Sequence, residues 1–188
     1  MSAFKQTLIG GILVAALALL AGLPVTATAA PGRAIDREAS AALAKLYREV
    51  PAARQLGRRA KGIMIFPAVV KGGFMVGAQY GEGVMRKGRR TLGYYKIAAA
   101  SYGLQAGVQS FGYALFFMTD SALRYLEQSQ GWEIGVGPSV VVIDEGKART
   151  LTTTTMKDDV YAFVFGQQGL MAGMGIQGSK ITRSQPGK

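Results

Sequence analysis

The 188-residue chain contains neither cysteine nor histidine. Without cysteine there are no disulfides, no thiolate metal sites, no cysteine nucleophile and no lipid attachment through a lipobox thiol. Without histidine the chain lacks the side chain whose ordinary pKa suits acid–base work near neutrality, and the commonest nitrogen ligand for zinc. Ser110, in GVQSFG, therefore has no histidine to activate it, and it also lacks the G-x-S-x-G elbow. Acidic residues are few, 11 against 22 lysines and arginines. The pairs Asp144-Glu145 and Asp158-Asp159 do not follow the ligand rhythm of a calcium loop and fall where turns between strands are expected. Gly173 to Gly178 matches G-x-G-x-x-G, but the residues after it read as strand, whereas a dinucleotide site needs the motif to open a helix. These absences point to a non-enzymatic protein with no cofactor and no metal.

The N-terminal segment carries a different kind of information. Lys5 precedes an uncharged, mostly apolar run from Leu8 to Leu23, closed by Pro24. A spanning helix needs ~20 apolar residues, and this run is shorter and broken by glycines. Ala27-Thr28-Ala29 then supplies the small-x-small spacing of a secretory cleavage site. The expectation is a signal peptide over residues 1–29, cleaved near Ala30 or Pro31, and an exported protein, periplasmic or secreted. Residues 30–188 suffice for a single domain with its own core, and no low-complexity linker divides them.

What the chain has in excess is positive charge. Its net charge is +11, and the excess is clustered. Eight basic residues lie between Arg33 and Lys61, against Asp36, Glu38 and Glu49. A second cluster, Arg86, Lys87, Arg89 and Arg90, surrounds Gly88 at an evident hairpin tip. Such an excess creates a long-range field that attracts anionic partners. For an exported protein the abundant anions are lipid head groups and lipopolysaccharide, not nucleic acid. The candidate binding residues are Arg54, Arg58, Arg59, Lys61, Lys71, Arg86, Lys87, Arg89 and Arg90. Each contributes on the order of 1 kcal/mol near an anionic surface.

Periodicity divides the rest into helix followed by sheet. Ile35, Ala39, Leu43, Leu46 and Val50 recur at helical steps, predicting an amphipathic helix over residues 33–50. Pro51 interrupts it and seeds a second helix through Arg59, because proline is tolerated at a first helical position. Strand texture begins at Gly62 and continues to about residue 183. The expected segments are Ile63–Phe66, a turn at Gly72-Gly73, Phe74–Met85, a tip at Lys87–Arg90, a return beginning at Thr91–Tyr95, and separate apolar, glycine-studded segments at Ala98–Gln109 and Gly112–Met118. Thr119 or Asp120 should cap a short helix ending at Gln128. Further strands are expected at Trp132–Ile143, Ala148–Thr155, Val160–Phe165 and Leu170–Ile181.

Glycine recurs through these strands in the blocks GAQYGEG, GLQAGVQSFG, GVGPS and MAGMGIQG. Glycine weakens a flat strand, so its repetition implies strong bending, bulges or close approach of another backbone. Gln79, Gln105, Gln109 and Gln177 lie in these blocks and, if inward, need hydrogen-bond partners. The fold class that satisfies the pattern is α+β. N-terminal helices, about 33–60, pack on a strongly curved, largely antiparallel, partly barrel-like sheet over about 62–183.

The sheet region also carries a resemblance. It opens with KGIMIFPAVVKGGFMVGAQYGEGVM and continues through GYYKIAAASYGLQAGVQSFGYALFFM, GWEIGVGPSVVVIDEG, LTTTTMKDDVYAFVFG and QQGLMAGMGIQGSKITR. In this order and spacing the blocks resemble the SYLF domain, a lipid-binding family that includes yeast actin-associated proteins and many secreted bacterial proteins. The likeness extends from Lys61 to Arg183, about two thirds of the chain. It implies lipid binding, with phosphoinositides as the ligands of eukaryotic members. For an exported chain the expected function is non-enzymatic binding of anionic phospholipid, peripheral to a membrane. The alternative is an interaction module that binds another envelope protein; actin is not an expected partner.

Overall fold

A computed structural model describes residues 31–143, 157–170 and 178–186. The expected signal peptide, the expected strand at Ala148–Thr155 and the Asp144-Glu145 pair lie outside the described residues.

Two helices come first. α1 spans Pro31–Glu49 and α2 spans Pro51–Arg59. Pro51 separates them as its chemistry requires. It disfavours helical backbone at Val50, which sits extended at φ −127°, ψ 94°, while its own missing N–H is harmless at the start of α2. The apolar stripe of α1 faces the sheet: Ala39 and Leu46 are fully buried, and Ile35 and Leu43 pack beside them. On α2, Ala52, Ala53 and Leu56 are buried.

β1 (Gly62–Lys87) and β2 (Arg90–Phe117) form one long antiparallel hairpin, paired from Lys87–Arg90 at the tip to Gly62–Phe117 at the base. α3 (Asp120–Gln128) follows, capped by the Thr119 hydroxyl, which accepts from the Ala122 N–H at 3.2 Å. The remaining strands are β3 (Trp132–Glu133), β4 (Val140–Ile143), β5 (Val160–Leu170) and β6 (Lys180–Ser184). Across the described residues the order is β3-β6-β2-β5-β4, with β1 on the other side of β2. β2 is long enough to serve two neighbours: Tyr94–Ala98 pairs with β6 and Val108–Phe117 with β5. All pairings are antiparallel except β4 with β5. The architecture is therefore α+β with a mostly antiparallel, strongly curled sheet.

Two readings of local structure need correction. Gly72-Gly73 is not a turn, because β1 continues through it. Gly73 pairs with Gly107 (φ 130°), so both strands bend at the same place and keep their pairing. Trp132–Ile143 is not one strand either. It is split into β3 and β4 by a loop through Gly135 and Gly137, both at positive φ, and the Trp132 indole N–H holds that loop by donating to the Val136 carbonyl at 2.9 Å.

The glycines do what their repetition implied. A side chain at Gly73 would strike the backbone of Val76 and Gly77, and one at Gly83 would strike the Ile65 carbonyl and the Phe66 ring. The second half of β1 therefore folds back over its first half at a distance only glycine permits. The concave interior this creates is filled by Met64, Phe66, Met85, Phe111, Tyr113 and Trp132 among others, with α3 closing it. A membrane-spanning barrel would instead enclose a polar lumen. On the convex side, Leu46, Ala53 and Leu56 from the helices cover Ala114, Phe116 and Phe163. A smaller contact joins Ala39 to Ile65 and Val84.

Candidate functional site

The basic residues singled out by charge fall into three structural groups. Arg54, Arg58 and Arg59 are exposed on α2, and Lys61 is exposed just beyond it, 3.9 Å from an Asp120 carboxylate oxygen. Arg54 and Arg58 also line a groove of about 510 Å³ between α1 and α2. Ala44, Tyr47, Arg48 and Gly57 complete its lining, so three arginines contribute to the walls of a groove with a largely apolar floor. The floor is shaped by Gly57. A Cβ there would collide with the Tyr47 hydroxyl, and its absence lets the phenol lie across α2. Tyr47 is held from below by Phe116, ring centroids 6.3 Å apart, and burial pushes its phenol pKa up, so it is neutral at physiological pH. Arginine suits such a place because its planar fork of donors matches a phosphate or carboxylate.

Arg48 was not among the residues singled out from sequence. On α1 alone it is one basic residue among several on a solvated face. Only the packing angle of the two helices brings it beside Arg54 and Arg58, and no local signal encodes that angle.

The hairpin tip is the second group. Lys87, Arg89 and Arg90 are exposed around Gly88, which turns the chain at φ 59°. Among the described residues no ion pair engages these three cations.

Arg86 and Lys71 form the third group, and here the surface expectation is corrected. Arg86 turns inward from the tip, and its side chain is 14% exposed. Its Nη2 lies 3.0 Å from Asp36 Oδ1 and also donates to the Asp36 carbonyl, while Nη1 donates to Ser40 Oγ at 2.8 Å. The Thr91 and Tyr94 hydroxyls donate to the same carboxylate, each at 2.8 Å. Burial acts to raise the Asp36 pKa, but the hydrogen bonds from Tyr94, Thr91 and Arg86 and the Arg86 charge outweigh it, and the carboxyl is held below its ordinary value. Arg86 is thus a clamp between α1 and the hairpin. Lys71 is buried, 7% exposed, on the same side of β1 as the interior residue Val69. Strand alternation aims it inward.

The acidic pair within the described residues has a structural use. Asp159 accepts from the Ser139 backbone and hydroxyl, each at 3.2 Å, and from the Thr119 hydroxyl at 3.0 Å, joining three turns. Asp158 accepts from the Tyr161 hydroxyl at 3.3 Å. Among the described residues no cluster of acidic ligands is arranged to hold a metal ion. Of the glutamines, Gln79 is buried and donates to Ser179 Oγ at 2.7 Å, and Gln109 is buried as well. The side chains of Gln105 and Gln177 lie outside the described residues, as does most of the Gly173–Gly178 string. Gly178 itself is a turn leading into β6, not into a helix.

Comparison with known proteins meets this geometry from another direction. The family model described as "Ysc84: Las17-binding protein actin regulator" matches residues 98–186, the stretch that includes most of β2 and everything after it. The chain is also 30% identical over 151 residues to beta cell expansion factor A of Aeromonas veronii, an alignment covering 78% of this chain and 55% of that protein. It thus spans about half the length of that curated relative. The matched stretch holds most of β2 and β3 to β6 but not β1, and it is recognised as a SYLF (Ysc84) domain over residues 98–186.

Proposed function

We propose that this protein is an exported, non-enzymatic domain that binds anionic phospholipid at a membrane surface. The observation that carries the reading is the groove in which Arg48, Arg54 and Arg58 contribute to the walls above a largely apolar floor. Its chemistry suits an anionic head group with a short apolar stem. Lys61 and the exposed tip residues Lys87, Arg89 and Arg90 add to the attracting field. The family match supports the same reading, since SYLF proteins form a binding family associated with lipid and with actin-related partners. The absence of histidine and cysteine favours binding over catalysis.

Co-sedimentation with vesicles tests the proposal. Phosphatidylglycerol or cardiolipin vesicles should retain the protein at low salt, neutral phosphatidylcholine vesicles should not, and rising salt should release it as the Debye length falls below ~8 Å. Replacing Arg48, Arg54 and Arg58 together by glutamine should weaken binding by about 1 kcal/mol per residue, at least tenfold in all. Failure of the wild type to sediment with any anionic vesicle overturns the proposal in favour of a protein partner.

A further inference from the structure

The bend in β1 presents an apolar corner that no other described element covers. Phe74 is 77% exposed, Met75 58%, Val76 52%, and Val108 on the partner strand 64%. Val70, 50% exposed, extends the patch along the same strand. Single exposed apolar side chains are ordinary, but five contiguous ones at the apex of a fold mark a contact surface. The backbone adds a second sign. Met75 adopts φ 61°, a left-handed conformation usually left to glycine, although Gly72, Gly73 and Gly77 stand close by. The chain places a large apolar side chain where its own neighbours would be less strained. Such outliers persist where they serve function.

Charge indicates what covers the corner. Between Lys71, which is buried, and Glu82, β1 has no charged residue, and β2 has none from Ile97 to its end at Phe117. The uncharged face ends where Glu82 pairs with Lys96, and Tyr80 stands at that border with its hydroxyl on Glu82, 2.9 Å away. Aromatic residues with a polar tip favour the boundary between hydrocarbon and water. A second copy of the chain would bring another large excess of positive charge to the contact, whereas an anionic bilayer attracts that charge.

We propose that the corner formed by Phe74, Met75, Val76 and Val108 enters the hydrocarbon region of an anionic membrane and anchors the protein there. The inference rests on the membrane-binding reading above but concerns a separate surface. Long-range attraction by the exposed arginines and lysines brings the protein to the bilayer. Insertion of the corner then resists release by salt, because burial of apolar surface is not screened.

The test is a full-chain Phe74→Trp variant mixed with phosphatidylglycerol vesicles whose acyl chains are brominated. Wild type, whose Trp132 is buried, provides the baseline. The expected result is a blue shift and quenching of the added tryptophan, absent with phosphatidylcholine vesicles. A Phe74→Asp/Val76→Asp variant should keep the wild-type circular dichroism and lose tenfold or more of the vesicle affinity remaining at high salt. If wild type sediments but the new tryptophan is not quenched, the corner proposal is overturned and surface adsorption stands. If wild type does not sediment at all, both proposals are overturned. A wild-type dimer in sedimentation velocity that the aspartate variant converts to monomer shows the patch to be a self-contact, which also overturns the corner proposal.

Discussion

The convex face of the β1–β2 ribbon meets two opposite fates along the same strands. At its ends, Ile65, Val84, Ala114 and Phe116 lie fully buried under α1 and α2. At its bend, Val70, Phe74, Val76 and Val108 are half-exposed or more. The residue types are alike, so composition does not explain the difference. The helices are short, and their apolar stripes match only the two ends of a ribbon that folds back on itself. One region shows how the domain stabilises itself, and the other shows where it has apolar surface left for something else.

Stability measurements can break this contrast. Phe116→Ala should lose about 3–5 kcal/mol in urea unfolding, the range for deleting a buried ring, because Phe116 touches both Tyr47 and Phe163. Phe74→Ser at the corner should stay within about 0.5 kcal/mol of wild type. Comparable losses at the two sites would mean that the corner is covered in the folded protein.

The bend itself gives the next largest effect. Gly83→Ala should destabilise by about 1–3 kcal/mol, because the new methyl meets the Ile65 carbonyl and the Phe66 ring, neither of which can retreat freely. Gly88→Ala, at the open tip, has no such contact and should lose only what its positive φ demands, about 1 kcal/mol. Thermal melting of the pair separates crowding from backbone preference.

The Asp36–Arg86 clamp should contribute less than the core and show its own pH dependence. Asp36→Asn should lose about 1.5–3 kcal/mol at neutral pH, the range for hydrogen bonds to a charged group. The folded carboxyl has a pKa below its unfolded value of 3.8, so its stabilisation is complete above that value and disappears as pH falls through the folded pKa. Unfolding curves between neutral pH and the acid range should show the wild type losing this increment and the Asn variant already lacking it. The smallest effect belongs to the tip: Lys87→Gln, Arg89→Gln and Arg90→Gln should each leave stability within about 0.5 kcal/mol while weakening vesicle binding by about 1 kcal/mol.

Several elements could be read directly from local sequence. Pro51 divides α1 from α2, Thr119 caps α3, and Lys87–Arg90 forms the tip, because each depends on the chemistry of a few adjacent residues. The glycine blocks announced close backbone approach, though not which backbones would meet. Gly72-Gly73 reads as a turn in sequence because the same residues serve a chain reversal and a bend shared by two paired strands. Charge clustering named the residues of the α2 and tip groups but treated Arg86 as equivalent to Lys87. Their difference lies in Asp36, which is 50 residues away in the chain and beside Arg86 in the fold.

The sequence by itself determined the helix-then-sheet order, the sharp curvature, the positive field and the resemblance to the SYLF domain, because periodicity, glycine spacing, charge and the characteristic blocks are all written along the chain. Tertiary structure alone decided which cations face outward, that Arg48 joins Arg54 and Arg58 around a groove, that Lys71 is buried, and that Phe74 and Met75 stand bare at a corner. Those outcomes depend on distances between residues remote in sequence, and such distances are set by how the two halves of one long hairpin pack against each other and against the helices.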